Sequence, residues 1–300
     1  MASREVSVDP QMAWSLLGSA QVWSLRPGYF AFDAVVPDSP PVRGLLQATT
    51  SGVRHGVLTL RSEQPGVAAT WGDTRGVKFT FSVRPHRGGA VVAIALRVPG
   101  DSALARLIFE RKRTDRVMGV WLARACLVLE GREPWPAGMP ADVQQACAAR
   151  PPWKVTDSVS GSVLIAAPLD VVWEAVWSPA QPGEGQLACG QVPGTPAHEP
   201  GEMQYFIGRA ADGQLAMTTV IVREVAYQRS ALTQGLGLTH PEMSYLLTVE
   251  KDGIRLEMTS SWHQPAMVGE PEIVRSRMAE TVRSATEGYK AAIEKSQRSV

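Results

Sequence analysis

Three cysteines in 300 residues, Cys126, Cys147 and Cys189, are too few and too scattered to frame a disulfide scaffold. No two form a C-x-x-C pair, so a structural zinc site on thiolates is not expected either, and a reducing cytoplasm is the expected setting. Each cysteine reads as a small apolar side chain or a loop thiol. Net charge is also missing. The 30 basic residues against 29 acidic ones leave +1, which gives no general attraction to nucleic acid or anionic lipid. No apolar run approaches the roughly 20 residues of a membrane-spanning helix, and Met1–Val6 has no apolar core of the secretory kind. Motifs of known chemistry are absent too: there is no G-x-S-x-G, H-E-x-x-H, G-x-x-x-x-G-K-[ST], or G-x-G-x-x-G between a strand and a helix. The five histidines, His55, His86, His198, His240 and His263, are scattered, so neither a metal nor another cofactor is expected.

A chain of this length with 44% hydrophobic residues is expected to hold about two domains. The most informative stretch is Ser162–Trp177. Val163 and Ile165 alternate with Ser162, Leu164 and Ala166 as in a strand, and Pro168 then opens an amphipathic helix with Asp170 in its first turn and Val172 and Val176 on its buried stripe. A weaker copy stands near the start: Arg4–Asp9 alternates like a strand, Pro10 ends it, and Gln11–Leu17 follows as helix. Pro10 lies four residues before Trp14 and Pro168 five before Trp173, so the order of elements repeats without strict register.

Each half continues in the same way. In the second, Gly190–Pro200 is too rich in Pro and Gly for a central strand and reads as loop or twisted edge. Met203–Arg209, Leu215–Tyr227, Ser230–Leu236, Met243–Glu250 and Ile254–His263 read as a meander of strands. Along the last of these, Ile254, Leu256, Met258, Ser260 and Trp262 share one face, and Arg255, Glu257, Thr259, Ser261 and His263 the wet one. From Pro271 the period changes to three and four, with Val274, Met278, Val282, Ala285, Tyr289, Ala292 and Ile293 recurring on a long helix. In the first half Tyr29–Val36, Val42–Ser51, Gly56–Ser62, Ala68–Gly72, Val77–Arg84 and Ala90–Val98 are expected strands, followed by a helix from about Ser102 to Glu130. On that helix Arg111 and Asp115 fall within the apolar stripe, four residues apart and able to pair. The expected domains are 1–140 and 152–300, joined by a proline-flanked linker over 141–151.

The strand–Pro–helix opening at 162–177 and the final helix resemble the START/Bet v 1-like superfamily, also called SRPBCC or polyketide cyclase-like proteins. The resemblance implies an α+β fold of two tandem helix-grip domains, each a curved antiparallel sheet wrapped around a long C-terminal helix. It also implies a cavity between sheet and helix. The residues expected to line it in the second half are Met243, Tyr245, Met258 and Trp262 on two neighbouring strands, Tyr205 and Arg209 on an earlier one, and Met278, Val282 and Tyr289 on the helix. Such a lining is aromatic and methionine-rich with few polar groups, and suits a small hydrophobic ligand of lipid, polyketide or aromatic type.

A rival reading is a polyketide cyclase or aromatase, in which Arg209 would polarise an enolate and Glu224 act as base. A third is an interaction module without a ligand. Proteins of the didomain aromatase/cyclase kind carry a W-P pair after the first helix of each domain, whereas this chain has Trp23-Ser-Leu-Arg-Pro27 and Trp177-Ser-Pro179. A buried ionisable pair in a large cavity would favour the enzyme, an apolar cavity the binder, and no cavity the interaction module.

Overall fold

The structure is a computed structural model describing residues 1–49, 52–74, 76–99, 111–148, 154–177, 186–210, 212–226, 231–235 and 241–298. Among the described residues fourteen strands form two seven-stranded sheets, one from each half of the sequence. The first holds β1 (Ala2–Val6), β2 (Tyr29–Ala34), β3 (Val42–Thr49), β4 (Gly52–Gln64), β5 (Ala68–Gly72), β6 (Lys78–His86) and β7 (Gly89–Arg97). The second holds β8 (Asp157–Ile165), β9 (Gln186–Gln191), β10 (Met203–Arg209), β11 (Leu215–Ala226), β12 (Ala231–Gly235), β13 (Glu242–Glu250) and β14 (Gly253–Trp262). The strand orders, β1-β7-β6-β5-β4-β3-β2 and β8-β14-β13-β12-β11-β10-β9, are the same permutation, so the order of elements read from the sequence extends to the topology.

The helices repeat as well. After β1 come α1 (Pro10–Leu17) and the short α2 (Gln21–Ser24), and after β8 comes α5 (Leu169–Trp177). Each half then has a helix beyond its last strand: α3, described over Arg111–Leu129, and α6 (Pro271–Gln297). The remaining helix, α4 (Ala141–Ala148), occupies the expected linker. By contacts the chain divides into two compact units, one of Met1–Thr49, Arg54–Gln144 and Ile207–Met217, the other of Thr50–Val53, Gln145–Phe206 and Thr218–Val300.

Local chemistry explains where the helices start. Asp9 caps α1, its Oδ1 accepting from the backbone N–H of Gln11 at 2.8 Å and of Met12 at 3.2 Å, while Pro10 takes the first helical position. Pro168 precedes α5, and its carbonyl accepts the Val172 N–H at 3.1 Å. Pro271 opens α6 in the same way as Pro10 opens α1.

In both sheets the first strand pairs antiparallel with the last, and the two ladders share a register. Val6 pairs with Ala90, and Ile165 with Ile254. A glycine stands just before each pair. A Cβ on Gly89 would lie 2.0 Å from the Val6 carbonyl oxygen, and one on Gly253 would lie 2.2 Å from that of Ile165. Neither backbone oxygen can step aside without opening the ladder, so only glycine fits at these positions.

The first core is dominated by rings. Trp23, Phe79, Phe81 and Trp121 interlock, with Trp23 centroids 4.8 Å from Phe79, 5.6 Å from Phe81 and 5.1 Å from Trp121. Such contacts add roughly 0.5–1.5 kcal/mol each beyond burial. The Trp121 Nε1 donates to the Val22 carbonyl at 2.7 Å, which ties α3 to α2.

Several boundaries differ from the expected ones. β4 runs over Gly52–Gln64 and not only 56–62, and the edge strand β9 lies over Gln186–Gln191, mostly before the Gly190–Pro200 stretch read as loop or twisted edge. Ala292 is exposed and off the stripe of α6, whose buried positions are Val274, Val282, Thr286 and Ile293. The helix portion 101–110, with Leu104 and Ile108, lies outside the described residues, as do the side chains of Arg111 and Asp115.

Two glycines provide a paired test. Gly253→Ala, at φ +147° and against backbone, is expected to lower stability by about 1–3 kcal/mol. Gly288→Ala, on α6 with open space around it, is expected to raise it by up to about 1 kcal/mol. Urea denaturation of both variants measures the two signs, and a harmless Gly253→Ala would contradict the described ladder.

Candidate functional site

The second half places its candidate residues on one layer. Alternation along β14 buries Ile254, Leu256, Met258, Ser260 and Trp262, as the sequence pattern requires. On β13, Met243 and Tyr245 are buried on the same side, with Met243 registered opposite Ser260 and Tyr245 opposite Met258. Met243, Tyr245, Met258 and Val282 join one apolar cluster with Trp173, Trp177 and Ile293. The helix α6 closes tightly over β8. A Cβ on Gly161, the partner of Met258 in the ladder, would stand 2.9 Å from Cγ1 of Val282.

Polar atoms on this layer are few. Tyr245 and Tyr289 meet edge to face at 6.2 Å and 89°, and their hydroxyls hydrogen-bond each other. Burial pushes both phenols above their ordinary pKa, so both are protonated at neutral pH. Ser260 is fully buried, and its hydroxyl donates to the Met278 sulfur at 3.8 Å, a weak acceptor. The Trp262 Nε1 donates to Gln264 Oε1 at 2.8 Å. Tyr245, Met258 and Ser260, with Met278 and Val282, are therefore brought together, and Trp262 continues the same face of β14.

Tyr205 and Arg209 are placed elsewhere. Tyr205 is half-buried on β10 against β9, where a Cβ on Gly190 would meet its ring at 3.0 Å. Arg209 is exposed, and its Nη1 donates to the Gly213 carbonyl at 3.0 Å across the hairpin turn. A guanidinium turned to solvent is not the buried cation a cyclase reading needs. The Glu224 side chain and His240 lie outside the described residues.

Residue patterning missed one polar cluster. Glu202 is 4% exposed. Its Oε2 accepts from Trp177 Nε1 at 2.9 Å and from the His198 backbone N–H at 2.6 Å, and its Oε1 accepts from Gln204 Nε2 at 3.0 Å. Gln204 Nε2 also donates to the Trp177 carbonyl at 2.7 Å. The carboxylate thus has three donors and holds the Pro- and Gly-rich loop to the end of α5. It is a clasp and leaves no oxygen obviously free for chemistry. Pro200-Gly201 before it gives no periodicity from which its burial could be read.

The described residues of the first half line at least two open spaces. One is a cleft of about 1110 Å³ between α1 and the C-terminal end of α3, lined by Val8, Met12, Leu16, Val128, Leu129 and Trp135 among others. The other, about 390 Å³, lies between Ser24, Arg124 and Pro136–Asp142. Among the described residues no group of three or more metal-ligating side chains converges. No described helix is long and apolar enough to cross a membrane.

No protein-family model matches the sequence, and no curated protein does. Solved structures resemble the chain at low identity. The di-domain ARO/CYC StfQ from the steffimycin biosynthetic pathway is 12% identical, covering 97% of this chain and 95% of its own, with a TM-score of 0.36. The di-domain ARO/CYC BexL from the BE-7585A biosynthetic pathway is 14% identical over 98% and 97%, with a TM-score of 0.34. Ara h 8.0201 is 12% identical over 48% of this chain and 99% of its own, with a TM-score of 0.38. At these values the fold assignment rests on the strand order and helix placement described above: an α+β chain with two sheets of the helix-grip topology.

None of the three cysteines is in a disulfide; Cys126 and Cys147 are buried and Cys189 is half-buried. Burial raises Cys126 to about 11 and Cys147 to about 12, so both stay protonated and poorly nucleophilic at neutral pH. Labelling the folded protein with a thiol-specific reagent at about pH 8 is expected to modify Cys189 first, with Cys126 and Cys147 following only on unfolding. Rapid labelling of all three would show that the cores open far more readily than their packing implies.

Proposed function

We propose that the protein binds a small hydrophobic molecule, of lipid, polyketide or aromatic type, between β13–β14 and α6. Residues 1–140 and 152–300 then form two tandem domains, with 141–151 joining them and the second carrying the ligand. The observation that supports this reading is the convergence of Met243, Tyr245, Met258, Ser260 and Met278 on one layer under the helix. A mostly apolar lining with a few inward hydroxyls is the usual make-up of a small-molecule site. Three unbranched, polarizable methionines can change rotamer to admit a ligand where stiffer side chains could not.

Binding is favoured over cyclase or aromatase chemistry by the state of the ionisable groups. The tyrosines on this layer are kept protonated by burial, and Arg209 faces solvent. Neither phenol is thus suited to act as a base, and the described lining holds no buried cation to polarise an enolate.

The test is titration with phenylnaphthylamine, a neutral apolar fluorophore, beside native mass spectrometry of freshly purified protein for a retained ligand. Trp262→Ala is expected to weaken dye binding. It also removes a fully buried ring at a cost of ~3–5 kcal/mol, so cooperative unfolding of the variant is checked first. Unchanged dye affinity in a folded Trp262→Ala protein would remove this residue from the site, and absence of dye binding by the wild type would remove the reading.

A further inference from the structure

The smaller of the two open spaces in the first half is bordered by polar groups that lack partners. It measures about 390 Å³ and lies within one compact unit. Ser24, the last residue of α2, lines it and is only 5% exposed, and its hydroxyl makes no hydrogen bond to a described residue. Across the pocket the chain enters α4. Pro140 precedes that helix and has no side-chain acceptor to offer. Its carbonyl takes the N–H groups of Val143 and Gln144 at 3.0 Å each, while those of Ala141 and Asp142 have no acceptor among the described residues. Arg124, on α3, supplies the third side. Its Nε stands 3.7 Å from Glu133 Oε2, beyond hydrogen-bond distance, and both side chains are half-exposed, so the pair is weak.

The walls between these groups are apolar and stiff. Pro27, Pro136 and Pro140 fix the backbone around the opening, and buried Met139 lies between the last two. Gln144 Nε2 donates to the Met139 carbonyl at 3.0 Å and ties this strap to α4. The space is therefore built before any ligand arrives.

Charge decides what fits. A hydroxyl, two N–H groups at the positive end of a helix and a guanidinium together suit a carboxylate. Asp142 sets a negative charge on the same lining. Its Oδ1 accepts the Val143 N–H at 2.9 Å, and its other oxygen has no hydrogen bond among the described residues. With one cation and one carboxylate the lining is neutral. A bare anion would meet Asp142 and a bare cation Arg124, whereas a molecule carrying both charges can satisfy both.

We propose that this pocket binds a small zwitterion of amino-acid type, its carboxylate on the donors of Ser24, Arg124 and the start of α4, its ammonium on Asp142, and its apolar part against the prolines. The site is separate from the methionine-rich layer of the second half, and neither depends on the other.

Three compounds that share one skeleton provide the test by calorimetric titration of the full chain: leucine, isocaproate, which lacks the amine, and isoamylamine, which lacks the carboxylate. Leucine is expected to bind about tenfold more tightly than either, the gain of one charge-assisted contact. Arg124→Gln is expected to cut leucine affinity about tenfold and leave isoamylamine no weaker. Asp142→Asn keeps the oxygen that accepts from Val143 and is expected to weaken leucine while strengthening isocaproate, an inversion that a merely structural role would not produce. Ser24→Ala is expected to cost leucine severalfold. Binding of phenylnaphthylamine should be the same in all three variants, which separates this site from the one in the second half. Absence of leucine binding, equal affinity for the three compounds, or leucine affinity unchanged by Arg124→Gln in a protein that unfolds cooperatively would overturn the proposal and leave water as the partner of these groups.

Discussion

In each half the first strand is clamped beside the last, and the rest of the architecture follows from that ladder. Pairing Val6 with Ala90, and Ile165 with Ile254, sets the first strand at the edge beside the last and fixes which faces the two strands share. A glycine with no room for a Cβ guards the end of each ladder. Once β8 lies against β14, the alternation along β14 delivers Met258, Ser260 and Trp262 beneath α6. Gly161 then lets the helix settle close to the sheet. Site and scaffold are therefore one object here, and a slip of β14 by one residue would turn Met258, Ser260 and Trp262 to the other face of the sheet.

The two halves use the same frame differently. In the first, Trp23, Phe79, Phe81 and Trp121 fill the space between sheet and helix with stiff rings. In the second, methionines and a tyrosine pair occupy the corresponding layer. Rings of fixed shape favour one packing, whereas thioethers tolerate several. The contrast leaves the second layer the more adaptable of the two.

Period alone made much of this legible. The two-residue alternation of β13 and β14 puts Met243, Tyr245, Met258 and Trp262 on one face, and the three-to-four spacing of α6 puts Met278 and Val282 on its stripe, because one-sided burial leaves that trace in sequence. That the two surfaces meet is what the resemblance to helix-grip proteins implies. Arg209 has the same parity as Tyr205 and Met203, but lies at the strand end, where parity no longer implies burial, and the Gly213 carbonyl takes it. Glu202 was invisible for the opposite reason. Its burial depends on a partner distant in sequence, Trp177, and a lone charge between apolar neighbours carries no period. The matched glycines at 89 and 253 were equally hidden, since a glycine in a turn looks the same whether it merely bends the chain or lets another backbone pass.

The first-to-last pairing also sets an order of events during synthesis. β8 leaves the ribosome early in its half, but its partner β14 is made after every other strand of that sheet. Until then β8 has no strand partner on either side, and Ser158, Ser160 and Ser162 lie along its exposed face. Closing so long a loop is slow, and open edges are where nascent chains stick to one another. The small polar side chains along this strand make the waiting edge a poor template for aggregation, so that its hydroxyls protect the newborn chain as much as they wet the finished one.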